Sequence, residues 1–214
     1  MVDLNFMAKI APDMIAALFM TIKLSILSVS ISILLGAGLT FARTMGGVLT
    51  RYLIISFVEF TRGTPPLVHI SIIYFLLPQF GLVLSEFWSG VVALSLIGAG
   101  YTIEIFRGAL ESIFKGQTDA AKALGLTRIQ LYFLILMPQA IRRSLPPLTN
   151  ELANVVKASS LLSVISVNEL TKVANDLIFV HFVVIEVLTE LTVMYLMVVG
   201  ILMSVSRWLE KRMK

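Results

Sequence analysis

The chain reads as long apolar runs separated by short polar stretches. Five runs, residues 15–42, 52–78, 87–106, 145–167 and 178–206, reach or exceed the ~20 residues a helix needs to cross a bilayer. The first, second and fifth are long enough to tilt or to extend beyond the hydrocarbon. A shorter run, 129–137, is flanked by Arg128 and the Arg142-Arg143 pair and reads as an interfacial or cytosolic helix. Asp3, Lys9 and Asp13 precede the first run, with neither a positive leader nor a cleavage-like site, so that run is expected to be retained. The expected fold is an all-α integral membrane protein of five transmembrane helices, forming one domain over residues 1–214.

Composition narrows the classes. Of 214 residues, 57% are apolar and 14% charged, and mean hydropathy is +0.93. A soluble domain carries about 25% charged residues, and a chain this short cannot bury so much apolar side chain in one core. A soluble enzyme, a disordered tail and a disulfide scaffold are therefore set aside. Without cysteine there is no disulfide and no cysteine-based metal or nucleophile chemistry. His69 and His181 lie far apart, which speaks against a histidine metal site and suits polar packing.

The basic residues matter by distribution rather than total. Twelve of the 17 fall on one set of sides: Arg43 and Arg51, then Arg107, Lys115, Lys122, Arg128, Arg142 and Arg143, then Arg207, Lys211, Arg212 and Lys214. Basic residues stay cytoplasmic, so the N-terminus is expected outside and the C-terminus inside. The net charge of +4 is a topology label and no sign of nucleic-acid binding.

Residues 107–144 form the longest connection. Residues 117–124 read as a short helix, with Thr118 placed to cap it, Asp119 in its positive first turn and Gly125 to end it in a left-handed conformation. Ala120, Ala121 and Leu124 occupy adjoining faces, where small side chains let another surface approach; an amphipathic helix lying on the membrane is the competing reading. Thr127-Arg128-Ile129-Gln130 has capping-box spacing, and Pro138 limits how far the next helix continues unkinked.

Asp119-Ala120-Ala121, three residues, Gly125, nine residues, Ile135 and then Met137-Pro138 resemble the cytoplasmic loop signature of ATP-binding-cassette importer permeases. The family pattern is Glu-Ala-Ala, three residues, Gly, nine residues, Ile, one residue, Leu-Pro; Asp119 and Met137 depart from it and keep charge and bulk. Residues 59–68, with Glu59, Arg62, Gly63, Thr64 and Pro65, are similar to the Glu-x-x-Arg-Gly-Thr-Pro segment of that family's polar amino-acid branch. Residues 101–108 and 115–117 are similar to its third-span exit, with Phe114 where a proline is usual. The resemblance implies that Asp119, Ala120, Ala121, Leu124 and Gly125 form a coupling helix docking into an ATPase subunit. It implies as partners a cytoplasmic ATP-binding subunit dimer, a second copy or related permease, and an extracytoplasmic amino-acid-binding protein, in a bacterial inner membrane. No Gly-x-x-x-x-Gly-Lys-[Ser/Thr] loop is present, so no cofactor is expected on this chain, and ATP and Mg are expected on the partner.

Charges within spans need an explanation of their own, since each costs about 2.5–3.5 kcal/mol at mid-membrane if unpaired. Lys23 is in the first run; Glu59 and Arg62, at i and i+3, form a candidate ion pair in the second. Asn150, Asn154 and Lys157 make one stripe of the fourth, beside Glu151, and Glu186 and Glu190 share a face of the fifth. Pairing between helices and a polar pathway are both open readings. Gly63-Thr64-Pro65-Pro66 interrupts the ladder of the second run, and such breaks are tolerated where they line a wet cavity, as at transporter binding sites; a simple kink is the plainer reading. Arg62 offers a fork for a carboxylate, Thr61 and Thr64 offer hydroxyls, and Glu151 or Glu169 suits an ammonium group. The substrate-path candidates are thus Glu59, Thr61, Arg62, Gly63, Thr64, Glu151, Asn154 and Glu169, with residues 168–172 expected as a solvated turn or a contact with a delivering protein or with substrate. Catalytic residues are not expected. The function expected is the permease subunit of a polar amino-acid importer. Two competitors are an ion-gradient-driven carrier or channel and an assembly or sensor subunit.

Overall fold

The computed structural model describes residues 3–212, the last four as backbone only; Lys214 of the basic tail lies outside the described residues. Among the described residues there is no strand, and the chain is built of helices α1 (Leu4–Met45), α2 (Val48–Gly63), α3 (Pro66–Ser71), α4 (Glu86–Glu111), α5 (Lys115–Ala123), α6 (Arg128–Gln130), α7 (Met137–Ala158), α8 (Leu170–His181) and α9 (Val184–Arg212) joined by short connections. Three helical stretches, Leu4–Met45, Glu86–Glu111 and Val184–Trp208, are long and apolar enough to cross a membrane.

The central pair is α1 and α4. Ser28, Ser32, Gly36 and Thr40 are buried and recur every four residues along one face of α1. They meet Val91, Ser95, Gly98 and Thr102 of α4, also buried. Small side chains let the two backbones approach, which is how helices associate where lipid removes the hydrophobic drive. The hydroxyls then bond across the gap: Ser32 donates to the Ser95 carbonyl at 3.1 Å, and Ser95 to the Ser28 carbonyl at 3.3 Å. A Cβ at Gly36 would overlap the Thr102 side chain, and one at Gly98 the Ser32 hydroxyl.

Several boundaries differ from the hydropathy reading. Helix α1 begins eleven residues before the first apolar run because Asp3 caps it, accepting from the Asn5 and Phe6 amides. Its 42 residues span about 60 Å, well beyond the hydrocarbon thickness. The second run is not one helix: Thr64 and Pro65 are extended, and the chain restarts at Pro66, passing through a π turn at Ile72–Leu76 and a 3-10 turn at Leu77–Phe80. The interruption expected at Gly63–Pro66 is there. The run 129–137 and the fourth span are joined rather than separate, because a π turn at Leu131–Leu136 accommodates Pro138, which lacks the N–H a regular turn requires. A 3-10 stretch, Ser159–Ile165, ends that path.

Residues 178–181 belong to α8 and not to the last span. Phe182 adopts a left-handed conformation (φ 56°) that stops α8, and α9 starts at Val184. Helix α8, where a loop was expected, packs Leu170 and Ala174 against Ile10, Met14 and Ala17 of α1 and Val187 and Met194 of α9.

Gly36→Leu is expected to separate α1 from α4, costing about 1–3 kcal/mol of overpacking. Gly38→Leu, with open space at its Cβ position, is expected to change little. Thermal unfolding of the two purified variants in detergent compares them directly.

Candidate functional site

Where α2 breaks, α4 passes close behind. Thr61 is buried against Gly100, with its hydroxyl satisfied by the Phe57 carbonyl at 2.9 Å, and the Arg62 stem packs on the same glycine. Arg62 is thereby turned toward α4, its guanidinium 5.3 Å from the Tyr101 ring centre and 3.7 Å from Glu104. It makes no ion pair with Glu59, which is exposed. The i, i+3 pairing expected within α2 yields to a partner on the adjacent helix. Thr64 braces the break, its hydroxyl 2.6 Å from His69 Nε2, while the buried His69 ring meets the Phe60 ring at 4.8 Å. Gly63 is exposed with open space around it.

Beside this break lies a cavity of about 190 Å³, lined by Pro66, Leu94, Ile97, Tyr101, Glu151, Asn154, Val155 and Ala158. Asn154 donates to Glu151 at 3.4 Å, and Arg62 is within electrostatic reach of Glu151. Glu151 and Asn154 thus line one small space, with Arg62 outside its lining but within electrostatic reach of Glu151. Asn150, Asn154 and Lys157 are all exposed along one stripe of α7.

Other candidates lie elsewhere. Glu169 is fully buried and caps α8, accepting from the Thr171 and Lys172 amides and from the Tyr195 hydroxyl at 3.2 Å. The solvated turn expected there is a packed helix start, because a carboxylate that satisfies three donors can be buried. Glu186 accepts from the Asp3 amide, and Lys23 sits over the Phe87 ring at 5.2 Å. Glu190 is buried with one oxygen unpartnered.

Sequence reasoning passed over the densest charge cluster. Glu104 accepts from Arg43 of α1 at 2.8 Å and from Arg107 through its Nε and Nη2, while Arg107 also bonds Glu111 at 2.5 Å. The spacing of Glu104, Arg107 and Glu111 on one face of α4 was a readable signal; the contribution of Arg43 was not.

At the same end, α5 projects. It starts at Lys115 rather than at a Thr118 cap, because Phe114 turns the chain one turn earlier without a side-chain cap. Asp119, Ala120, Leu124 and Gly125 are exposed, as is Phe114. Ala121 is buried, so of the three residues placed on adjoining faces Ala120 and Leu124 are open to another surface. Gly125 does take the left-handed conformation (φ 76°), and Thr127 and Gln130 form the capping box. Gln117 and Gln139 bond at 2.5 Å, and Tyr132 and Phe133 of the π turn both meet Phe41 of α1 at 5.2 Å.

A broken helix beside a small cavity lined by Glu151 and Asn154, with a short polar helix exposed at one end, suits a membrane transport component. Residues 32–214 match the family of binding-protein-dependent transport system inner membrane components, and the chain belongs to it. It is 37% identical over 205 residues to the glutamine transport system permease protein GlnP of Escherichia coli (strain K12), covering 95% of this chain and 94% of that one. It is 31% identical over 215 residues to the arginine transport system permease protein ArtQ of Bacillus subtilis (strain 168), covering 99% and 98%. A crystal structure of an amino acid ABC transporter with histidines superposes with a TM-score of 0.92 at 32% identity, covering 99% of each chain. An inward-facing structure of the MetNI methionine ABC transporter shares the fold, with a TM-score of 0.85 at 15% identity over 96% and 98% of the chains.

Replacing Glu104 by Gln leaves Arg43 without its carboxylate, and stability is expected to fall. Adding Arg43→Gln is expected to recover part of the loss. The coupling free energy from thermal unfolding of the two single variants and the double variant is expected on the order of 1 kcal/mol, since both groups keep some exposure.

Proposed function

We propose that this chain is the permease subunit of an ATP-driven importer that carries a polar amino acid into the cell. The observation that carries the reading is coverage: permeases named for glutamine and arginine transport match it over nearly its whole length. It lies in the bacterial inner membrane as five crossings, N-terminus out and C-terminus in. The gathering of Arg43, Arg51 and Arg107 at one end of the molecule supports that orientation. The exposed stripe of Asn150, Asn154 and Lys157, flanked by the open break at Gly63, faces a second copy or a related permease.

The substrate backbone suits the cavity. Arg62 supplies a fork for the carboxylate, Glu151 and Asn154 meet the ammonium group, and Gly63 and Thr64 leave the approach open. The carboxylate at Glu151 favours neutral or cationic side chains over acidic ones. An extracytoplasmic binding protein delivers the substrate. The permease makes and breaks no covalent bond. ATP, with Mg, is hydrolysed on a cytoplasmic ATP-binding subunit dimer that receives α5, and its closure moves the permease halves between outward and inward access. An ion-gradient carrier would account for the embedded carboxylates, but it leaves the exposed Leu124 and Phe114 of the projecting loop without a partner.

Arg62→Ala is expected to abolish uptake of labelled amino acid in proteoliposomes while the ATPase still copurifies. Unchanged uptake removes Arg62 from the path. Gly125→Arg forces a side chain into a left-handed conformation, at roughly 1–2 kcal/mol, and is expected to lose the copurifying ATPase. Uptake by vesicles that contain no ATPase would overturn the importer reading itself.

A further inference from the structure

A second cavity, of about 330 Å³, opens at the end of the molecule that carries α5. It is lined by Arg43, Arg51 and Arg107, by the hydroxyl residues Thr40 and Thr44, and by Leu110, Glu111 and Leu136. Arg107 engages Glu104 and Glu111 through all three of its nitrogens, and Arg43 uses one Nη on Glu104. Among the described residues Arg51 has no carboxylate within ion-pair distance. Arg62 approaches Glu104 from the far side, at 3.7 Å. Around the cavity itself, three guanidiniums therefore face two carboxylates, Glu104 and Glu111, and one positive charge is left over.

The surroundings are apolar. Val48, Leu49, Tyr52 and Leu53, the side chains around Arg51 on the first turns of α2, are all exposed. Leu110 and Leu136 line the cavity wall. A free anion in water has no use for such a flank, whereas a lipid presents one phosphodiester charge above two acyl chains. Basic pockets between membrane helices on the cytoplasmic side hold lipid headgroups in this manner.

We propose that this cavity binds the phosphodiester of an anionic lipid of the cytoplasmic leaflet, with Arg51 and the free edge of Arg43 on the phosphate and the acyl chains along α2. Assignment to that leaflet rests on the topology proposed above; the binding itself does not, and its test needs no transport.

Native mass spectrometry of the detergent-purified transporter complex, titrated with phosphatidylglycerol, phosphatidylcholine or inorganic phosphate, reads the site. Phosphatidylglycerol is expected to bind as a retained adduct, and inorganic phosphate is expected not to displace it. Arg51→Gln is expected to weaken the adduct about fivefold, the contribution of one basic residue near a membrane surface. Arg51→Lys should keep most of the binding, and Arg128→Gln, an exposed change outside the cavity, all of it. Equal binding of phosphatidylcholine, or displacement by inorganic phosphate, would overturn the assignment to an anionic lipid. Equal losses in the Arg51 and Arg128 variants would overturn the site in favour of general surface charge. Loss of the ATPase subunit on Arg51→Gln, with lipid binding unchanged, would make the cavity a protein contact. If the adduct behaves as expected in a complex that shows no ATP-driven uptake, the lipid site stands and the importer reading falls.

Discussion

The distance between α1 and α4 governs much else in the molecule. In lipid, one apolar surface gains little by meeting another apolar surface, so helices associate through contacts that only near-touching backbones allow. Ser28, Ser32, Gly36 and Thr40 supply that closeness on α1, and Ser95, Gly98 and Thr102 on α4. Once the pair is set, Arg43 falls beside Glu104. Helix α2 then packs on α4 through a second small contact, Thr61 on Gly100. Both the charge cluster and the cavity beside the α2 break follow from these two approaches.

The polar groups in the membrane body divide by how fully they are satisfied. Glu104 and Glu169 each accept from several donors, so both hold structure together: one ties α1 to α4, the other starts α8. Arg62 is held loosely, by a ring face and by a carboxylate 3.7 Å away. Among the described residues, Glu151 accepts one long bond, from Asn154. Groups with unfilled bonding capacity can take up a further polar partner at little cost. Tightly bonded groups are poor candidates for that role, because each exchange would break bonds that the fold depends on.

Two π turns mark places where a regular helix would fail. One follows the Pro65-Pro66 break; the other precedes Pro138 and links the projecting loop to α7. At the second, Tyr132 and Phe133 are clasped against Phe41, and Gln139 reaches Gln117 of α5. The projecting helix is thus tied both to α1 and to α7.

How legible this was varies with the range of the interaction. The apolar character of the chain, the Gly63–Pro66 break, the capping box at Thr127 and the left-handed Gly125 could all be read from the chain, because each depends on neighbours within a turn or on the solvent. The early start of α1, the division of 178–206 by Phe182 and the packing of α8 could not, because hydropathy does not separate a helix lying on another helix from a loop or a span. The same limit applied to the site. Glu59 and Arg62 share a helix face, yet Arg62 turns to Glu104, brought near by a glycine on another helix. Glu169 looked like a free carboxylate and is a buried cap, and Ala121, placed among residues another surface could approach, is buried. The sequence by itself determined the solvent, the class and the break at Gly63–Pro66. The tertiary structure decided which charge meets which, because partners brought together from distant parts of the chain compete with those a turn away, and packing settles the competition.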